Sequence, residues 1–510
     1  MADRIHQRAG SGARFILLFT SFISGFCILA LELLAFRIFA PRFGYSTYVS
    51  ASIVGSVLFV MSIGYVIGGA IADRRPRPSV LYKIILAAGV YLFPMLLVYN
   101  KIMVASFRHM GTIAGAICAA LAILAIPMIL LSMVGPFVIK LLAGQSDVGK
   151  TSGHVFFIST IGSLLGTFIT PLVLIYFLGA HMTFIIISAM VLVLGIFGVF
   201  LFNFRYIIFS LLFAIIPFSF TKPPENIKYE KESFYNNIQV KEFDRDRYLI
   251  RVNWWTSYSV SISERTGFLT DSYYDYFAVM PMLAKGKDIL ILGMGAGTSV
   301  KQFEHFYPDS RIDAVEIDPE IVRIAAGKWF NVRETDRIKI YAMDARPFLS
   351  LTNKKYDVIE LDMFQGGPNI PFYITTVEFY QMINEHLKPG GVVTMNVLQL
   401  GLDKRLVGSV GTTLKQVFTK VYEAQISSNI ILIALNEDIP INEINDRFKR
   451  GSAAYPELAA TAGRLNIAEF TSYPGSQVFT DDKANIEILT FRMTEQGTRQ
   501  RRETYKRGDS

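Results

Sequence analysis

Four features in the second half of the chain could do chemistry together. Gly293-Met-Gly-Ala-Gly297 follows an apolar run and opens a helical segment. Glycines at a helix start let the backbone approach a ligand and aim free N–H groups at it. Glu316 closes the next apolar run, 23 residues after Gly293. That spacing suits a carboxylate accepting hydrogen bonds from ribose hydroxyls. Asp344-Ala345 closes a third run, where a carboxylate could receive an adenine amino group. Asp362 closes a fourth, where the reacting groups would lie. Each acid alone reads equally well as a helix cap or turn residue. Three of them at successive strand ends, behind a glycine turn, point to a site for an adenosyl ligand. The Gly-Ala-Gly-Thr form, with no further spaced glycine, favours an S-adenosyl ligand over a dinucleotide.

These residues need a particular scaffold. The sequence predicts strands at Asp288–Leu292, Arg311–Asp318, Ile338–Met343, Tyr356–Asp362 and Val392–Val397. Helices are expected at Pro319–Lys328 and at Thr375–Leu387, the second stopped by Lys-Pro-Gly-Gly. Such alternation predicts a parallel, doubly wound α/β sheet, whose ligands sit at the carboxyl ends of the strands. Strand-like runs at Ile238–Phe243 and Tyr248–Val252 predict a small β-rich region before it.

The rest of the chain differs in kind. The protein has 510 residues, net charge +8, 52% hydrophobic and 18% charged residues, and a mean hydropathy of +0.37. So few charges cannot cover a soluble surface of this size. Residues 1–222 carry 15 Lys/Arg and 4 Asp/Glu, net +11, and the remainder carries 35 and 38, net −3. The high isoelectric point therefore belongs to the first part and gives no ground for a nucleic-acid partner. Apolar runs at 15–39, 47–71, 80–99, 111–142, 154–178, 181–202 and 206–220 predict a polytopic α-helical membrane domain of six to eight spans. Arg4, Arg8, Arg14, Arg74, Arg75, Arg77, Lys83, Lys140, Lys150 and Arg205 fall on one side if 111–142 is one span, against Arg37, Arg42, Lys101 and Arg108 on the other. That asymmetry places the N-terminus in the cytoplasm. An even number of spans would then place the soluble domain there too, within reach of a nucleotide-like cosubstrate. Seven would place it outside. The expectation is a multi-pass cell-membrane protein with a cytoplasmic soluble domain.

The expected organisation is a helical bundle over 1–222, a small β-rich region over 223–286, a Rossmann-like domain of the class I S-adenosylmethionine-dependent transferase type over 287–440, its C-terminal extension over 441–493, and a disordered polar tail over 494–510. Within the first apolar run Glu32 precedes Arg37, and glycine faces occur at Gly64, Gly68, Gly69 and at Gly162, Gly166. Small residues four apart let helices approach closely. Cys27 and Cys118 give no disulfide framework, and six scattered histidines give no metal-ligand spacing, so no metal is expected.

Residues 230–400 resemble the spermidine synthase (polyamine aminopropyltransferase) family. The matching stretches are Glu232-Ser-Phe-Tyr-Asn-Asn-Ile-Gln-Val240, Ile289-Leu-Ile-Leu-Gly-Met-Gly-Ala-Gly297, Ala314-Val-Glu-Ile-Asp-Pro319, Asp344-Ala345 and Tyr356-Asp-Val-Ile-Glu-Leu-Asp362. The first half is similar to the helical part of membrane-fused spermidine synthase-like proteins, through Leu31-Glu-Leu-Leu34 and Gly68-Gly-Ala-Ile-Ala-Asp-Arg74. The resemblance implies that Gly293, Gly295 and Gly297 cradle decarboxylated S-adenosylmethionine as cosubstrate, with no prosthetic group. Glu316 would hold its ribose, and Asp344 with Ala345 its adenine. Asp362 matches the catalytic aspartate, which orients an amine and takes its proton. Asn236 falls where the family has Gln, and Tyr273-Tyr274-Asp275 falls where it has Tyr-His-Glu. Ala296 replaces an Asp of the glycine turn, and Gln365 replaces a second acid beyond the catalytic one. Tyr235, Phe364 and Tyr373 could add aromatic walls around a cationic amine.

The implied function is membrane-bound aminopropyl transfer to an amine such as putrescine. Two alternatives stand beside it. One is an S-adenosylmethionine-dependent methyltransferase. The other is a transporter or sensor whose soluble domain reads an adenosyl or polyamine ligand. The expected partners are a small polyamine or amine and the lipid bilayer, with homo-oligomerisation left open.

Overall fold

The computed structural model describes residues 11–44, 46–143, 148–202, 226–244, 246–253, 256–284 and 286–508. The chain divides into two compact units, Met1–Pro223 and Pro224–Ser510.

The first unit is helical. Its elements are α1 (Ser11–Phe43), α2 (Thr47–Arg74), α3 (Pro78–Met110), α4 (Ile113–Ser132), α5 (Val134–Leu142), α6 (Val148–Ile169) and α7 (Tyr176–Phe202), with a π-turn at Thr170–Ile175. Five helical stretches are long and apolar enough to cross a membrane, by length and composition alone. The expected 111–142 run is broken only at Met133, between α4 and α5. Pro136 has no N–H for the Ser132 carbonyl four residues back, which accounts for the break. The last stretch, Val148–Phe202, is 55 residues long. Gly179, at φ 79° and ψ 169°, interrupts it. The run at 206–220 lies outside the described residues.

The glycine faces set the packing. A Cβ on Gly162 would lie 2.0 Å from the Phe22 carbonyl oxygen, and one on Gly166 2.5 Å from that of Phe26. These contacts advance together, so α1 and α6 run parallel. Gly89 meets Leu192, Leu86 meets Gly195 and Tyr82 meets Gly198, so α3 and α7 run antiparallel. Thr20 bonds Tyr82 and Arg42 bonds Asn100, which makes α1 and α3 parallel. The chain therefore reverses between α6 and α7, at the Gly179 break. Gly64 and Gly68 seat α2 against Ile129–Met133 in the same direction, whereas Gly69 faces open space. The described bundle thus makes six traverses, an even number. Asp73, which follows this glycine face, pairs with Lys140 at 2.6 Å.

The second unit opens with a four-stranded antiparallel sheet in the order β1 (Ile227–Glu232), β2 (Asn237–Asp244), β3 (Arg247–Val252) and β4 (Thr256–Val260). Its main sheet has eight strands in the order β12-β10-β11-β9-β8-β5-β6-β7. These are β5 (Asp288–Leu292), β6 (Arg311–Glu316), β7 (Ile338–Ala342), β8 (Tyr356–Leu361), β9 (Leu387–Leu398), β10 (Lys420–Ile426), β11 (Asn429–Leu435) and β12 (Ile467–Glu469). The expected parallel sheet is correct only for β5 to β9. The last three strands pair antiparallel, so the sheet is mixed. The cause is the two-residue turn Ser427-Ser428, with Ser427 at φ 53°. It returns the chain as a hairpin, which no parallel connection allows.

Helices cover both faces: α8 (Tyr274–Ala278), α9 (Thr298–Phe306), α10 (Pro319–Ala325), α11 (Ala345–Leu351), α12 (Val377–Glu385), α13 (Arg405–Leu414), α14 (Ile441–Ala454), α15 (Ala459–Arg464) and α16 (Ile486–Gly508). One core contains Ile289, Ile291, Phe303 and Phe448, and the other Leu290, Leu292, Phe379 and Met493. Odd and even positions of β5 thus feed opposite cores, as a two-sided sheet requires. The expected disordered tail is instead continued helix. Ile486, Leu489 and Met493 anchor the first turns of α16 in the core, and the backbone stays helical through Gly508.

Replacing Gly162 by Val should separate α1 from α6, at a cost of at least about 1–3 kcal/mol. Thermal unfolding of the full chain in detergent should show a lower midpoint. Gly153→Val, at a position with nothing within 4 Å, should leave it unchanged.

Candidate active site

Strands β6, β7 and β8 end at Glu316, Ala342 and Leu361, so the three expected acids stand at or just past their carboxyl ends. The glycine turn faces them. Gly293, Gly295 and Gly297 all have positive φ, at 93°, 56° and 86°. A Cβ on Gly293 would lie 2.3 Å from the Asp362 carbonyl oxygen, and one on Gly297 2.6 Å from Val332. Glycine is therefore required sterically as well as conformationally. Together they surround a cavity of about 280 Å³ lined by Gly293, Gly295, Glu316, Asp344, Ala345, Asp362, Asn236 and Gln365, with Tyr235, Phe364 and Tyr373 among its walls.

Glu316 ties the turn to the sheet. Its Oε2 accepts from the Gly295 N–H at 2.9 Å and its Oε1 from the Asp318 N–H at 3.0 Å. Burial pushes its pKa up to about 7, and the two backbone donors hold it from rising further. Asp344 caps α11 by accepting from the Arg346 N–H at 2.9 Å, and its Oδ2 accepts from the Tyr373 hydroxyl at 2.6 Å. Asp362 accepts from Asn396 Nδ2 at 2.9 Å and from the Tyr273 hydroxyl at 3.0 Å. Burial raises its pKa to about 6, while Asn396 and Tyr273 favour the ionised form. Asn396 is itself oriented by Asn429 Nδ2 at 2.8 Å. The site thus offers a pre-aimed carboxylate that titrates near neutrality, as a proton acceptor needs.

The other expected residues divide. Asn236 donates to the buried Asp318 at 3.0 Å and accepts from Asn253 at 2.9 Å. Gln365 lines the cavity wall. Gly297 does not line the cavity; it starts α9. Tyr273 reaches the site only through its bond to Asp362. Tyr274 stacks on Tyr273, ring centroids 4.2 Å apart, and is not part of the cavity wall. Asp275 stands apart from the cavity wall. Its carboxylate accepts from the Thr270 N–H, the Thr270 hydroxyl, the Asp271 N–H and Gln302 Nε2, at 2.7–2.8 Å. It fastens a loop to α8 and α9. Sequence reasoning missed Asn396, Asp318 and the apolar wall of Val252, Ile317 and Met343. Asn396 had a signal, a polar residue at an inward position of the apolar run Val392–Leu398. The described residues contain no cluster that could hold a metal ion.

Residues 270–430 match the family model described as the spermine/spermidine synthase domain. A probable polyamine aminopropyl transferase of Bifidobacterium longum is 32% identical over 295 residues, covering 52% of this chain and 62% of its own length. The chain therefore spans less than two thirds of that relative. The polyamine aminopropyltransferase of Vibrio vulnificus is 29% identical over 296 residues, 54% of this chain and 91% of its own. The eEF1A lysine and N-terminal methyltransferase of Mus musculus is 33% identical over 212 residues, 39% of this chain and 29% of its own.

Asp275→Ala should leave several buried donors unpaired and cost about 2–4 kcal/mol. Denaturant unfolding of the full chain should show that loss. Normal stability with lost activity would instead make Asp275 a substrate ligand.

Proposed function

We propose that the second unit, with its spermine/spermidine synthase domain, is an aminopropyltransferase held at a membrane by the first unit. The carrying observation is the charge of the cavity wall. It presents Glu316, Asp344 and Asp362, and no Lys, Arg or His among the described residues that line it. A donor bearing a sulfonium and a free ammonium suits such a wall. Intact S-adenosylmethionine brings a carboxylate for which the wall has no cation, which weighs against the methyltransferase reading despite the likeness to the mouse enzyme.

In this reading the backbone at Gly293 and Gly295 approaches decarboxylated S-adenosylmethionine, Glu316 accepts from its ribose hydroxyls and Asp344 from its adenine amino group. Asn236 and Ala345 complete that end, and Gln365 faces the acceptor. Asp362 orients the acceptor amine. The neutral nitrogen attacks the propyl carbon beside the sulfonium, the C–S bond breaks, and its electron pair leaves with methylthioadenosine. The proton shed by the new secondary amine passes to the Asp362 carboxylate. An alkyl amine is largely protonated near pH 7, so a buried carboxylate with a raised pKa matches the task.

The first unit supports a membrane anchor. Six traverses return Phe202 to the side of Arg14. That side also carries Arg74, Arg75, Arg77, Lys83, Lys140 and Lys150, against Arg37, Arg42, Lys101 and Arg108 on the other. In this reading the excess makes that side the cytoplasmic one.

Full-length protein given decarboxylated S-adenosylmethionine and a panel of amines, putrescine included, should release methylthioadenosine. No release with any amine would overturn the reading. Asp362→Asn should lower kcat by roughly 10²–10⁴-fold. The pH profile has a defined sign. Protonated Asp362 cannot accept a proton, so kcat/KM should fall about tenfold per unit below pH about 6. Asn396→Ala removes a donor that favours the anion, so the acid limb should move to higher pH.

A further inference from the structure

The acid at the adenine end of the cavity is held from outside the cavity. Asp344 has both oxygens engaged, one by the Arg346 N–H and one by the Tyr373 hydroxyl. The Arg346 side chain is not part of the cavity wall. Its Nη1 donates to Asp481 Oδ2 at 2.9 Å and its Nη2 to Asp481 Oδ1 at 2.6 Å, a two-pronged ion pair. Nη2 also donates to the Thr376 hydroxyl at 2.8 Å, and that hydroxyl donates to Asp481 at 2.7 Å. The Asp481 N–H in turn donates to Glu378 at 3.0 Å. So held, the guanidinium lies 5.9 Å from the Tyr373 ring centroid and 5.7 Å from that of Phe379.

An arginine has many rotamers and one flat face. A bidentate carboxylate fixes the plane of that face, and the face restrains an aromatic ring beside it. Here the restrained ring is Tyr373, whose hydroxyl sets the direction of one Asp344 oxygen. Asp481 lies beyond residues 270–430, the stretch that matches the family model. We propose that Asp481 is a positioning residue for adenine recognition, acting through Arg346 and Tyr373 on Asp344. The proposal rests on the adenosyl-donor reading of the cavity.

A purely structural role for Asp481 would change stability without changing which base is preferred. The test is therefore discrimination. Calorimetry on the full chain in detergent would compare methylthioadenosine with methylthioinosine, in which a carbonyl replaces the amino group that Asp344 would accept from. The unaltered protein should favour the adenine compound by about tenfold or more, the scale of one hydrogen bond to a charged group. Asp481→Asn should reduce that preference to about twofold. Arg346→Lys keeps the charge but loses the fork and the flat face, and should do the same. It also decides the matter should Asp481→Asn fail to fold. Undiminished preference in a folded variant would overturn the proposal and leave the adenosyl reading standing. Equal weakening for both compounds would mark Asp481 as structural only and also overturn it. Failure of the unaltered protein to bind methylthioadenosine would remove the adenosyl reading and this proposal with it.

Discussion

The second unit depends on one buried carboxylate. Glu316 accepts from the Gly295 N–H on one side and the Asp318 N–H on the other. It thereby fixes the glycine turn after β5 against the end of β6. Buried polar groups must be satisfied, and here the satisfaction is also the geometry. Asp318, placed by that bond, is buried and accepts from Asn236 and from the Ser233 hydroxyl. The loop between β1 and β2 is thus tied to the main sheet, and the cavity gains its wall on that side. An apolar residue at 316 would leave two backbone donors without their acceptor at the centre of the site.

The same site shows how burial sets chemistry. Glu316 and Asp362 both sit above the ordinary carboxylate range because ionisation in a dry surrounding is costly. Each is held down by a few aimed donors. Glu360, two residues before Asp362, is also buried and pushed up, with Ser299 as its donor. The strand-end acids therefore differ from surface acids through their surroundings, not their type. The helical unit obeys another constraint. Its close approaches run through Gly162, Gly166, Gly64, Gly89, Gly195 and Gly198, where any side chain would meet backbone or a packed side chain.

Much was legible in the sequence because it is local. The glycine turn, the acids closing apolar runs and the β5 boundaries depend on neighbours in the chain. Six of the seven apolar runs stand as helices, and the seventh lies outside the described residues. The sequence at Asp275, an acid at a familiar motif position, carries no record of its partners. Those partners, Thr270 and Gln302, come from a loop and from α9, and only folding brings them to it. Asn396 was missed for the converse reason. Its role comes from β9 lying beside β8, and no spacing along the chain announces that pairing.

The sequence by itself determined the two-part character of the chain, the α/β class of its second part and the identity of the three strand-end acids. Those follow from hydrophobic period, charge segregation and turn chemistry, which act over a few residues. Tertiary structure alone decided the antiparallel edge of the sheet, the reversal at Gly179 and the partners that tune Asp362. It also joined Asp481 to Arg346, which lie far apart in the chain. Such pairings are set by which surfaces bury each other, and that is a property of the packed molecule.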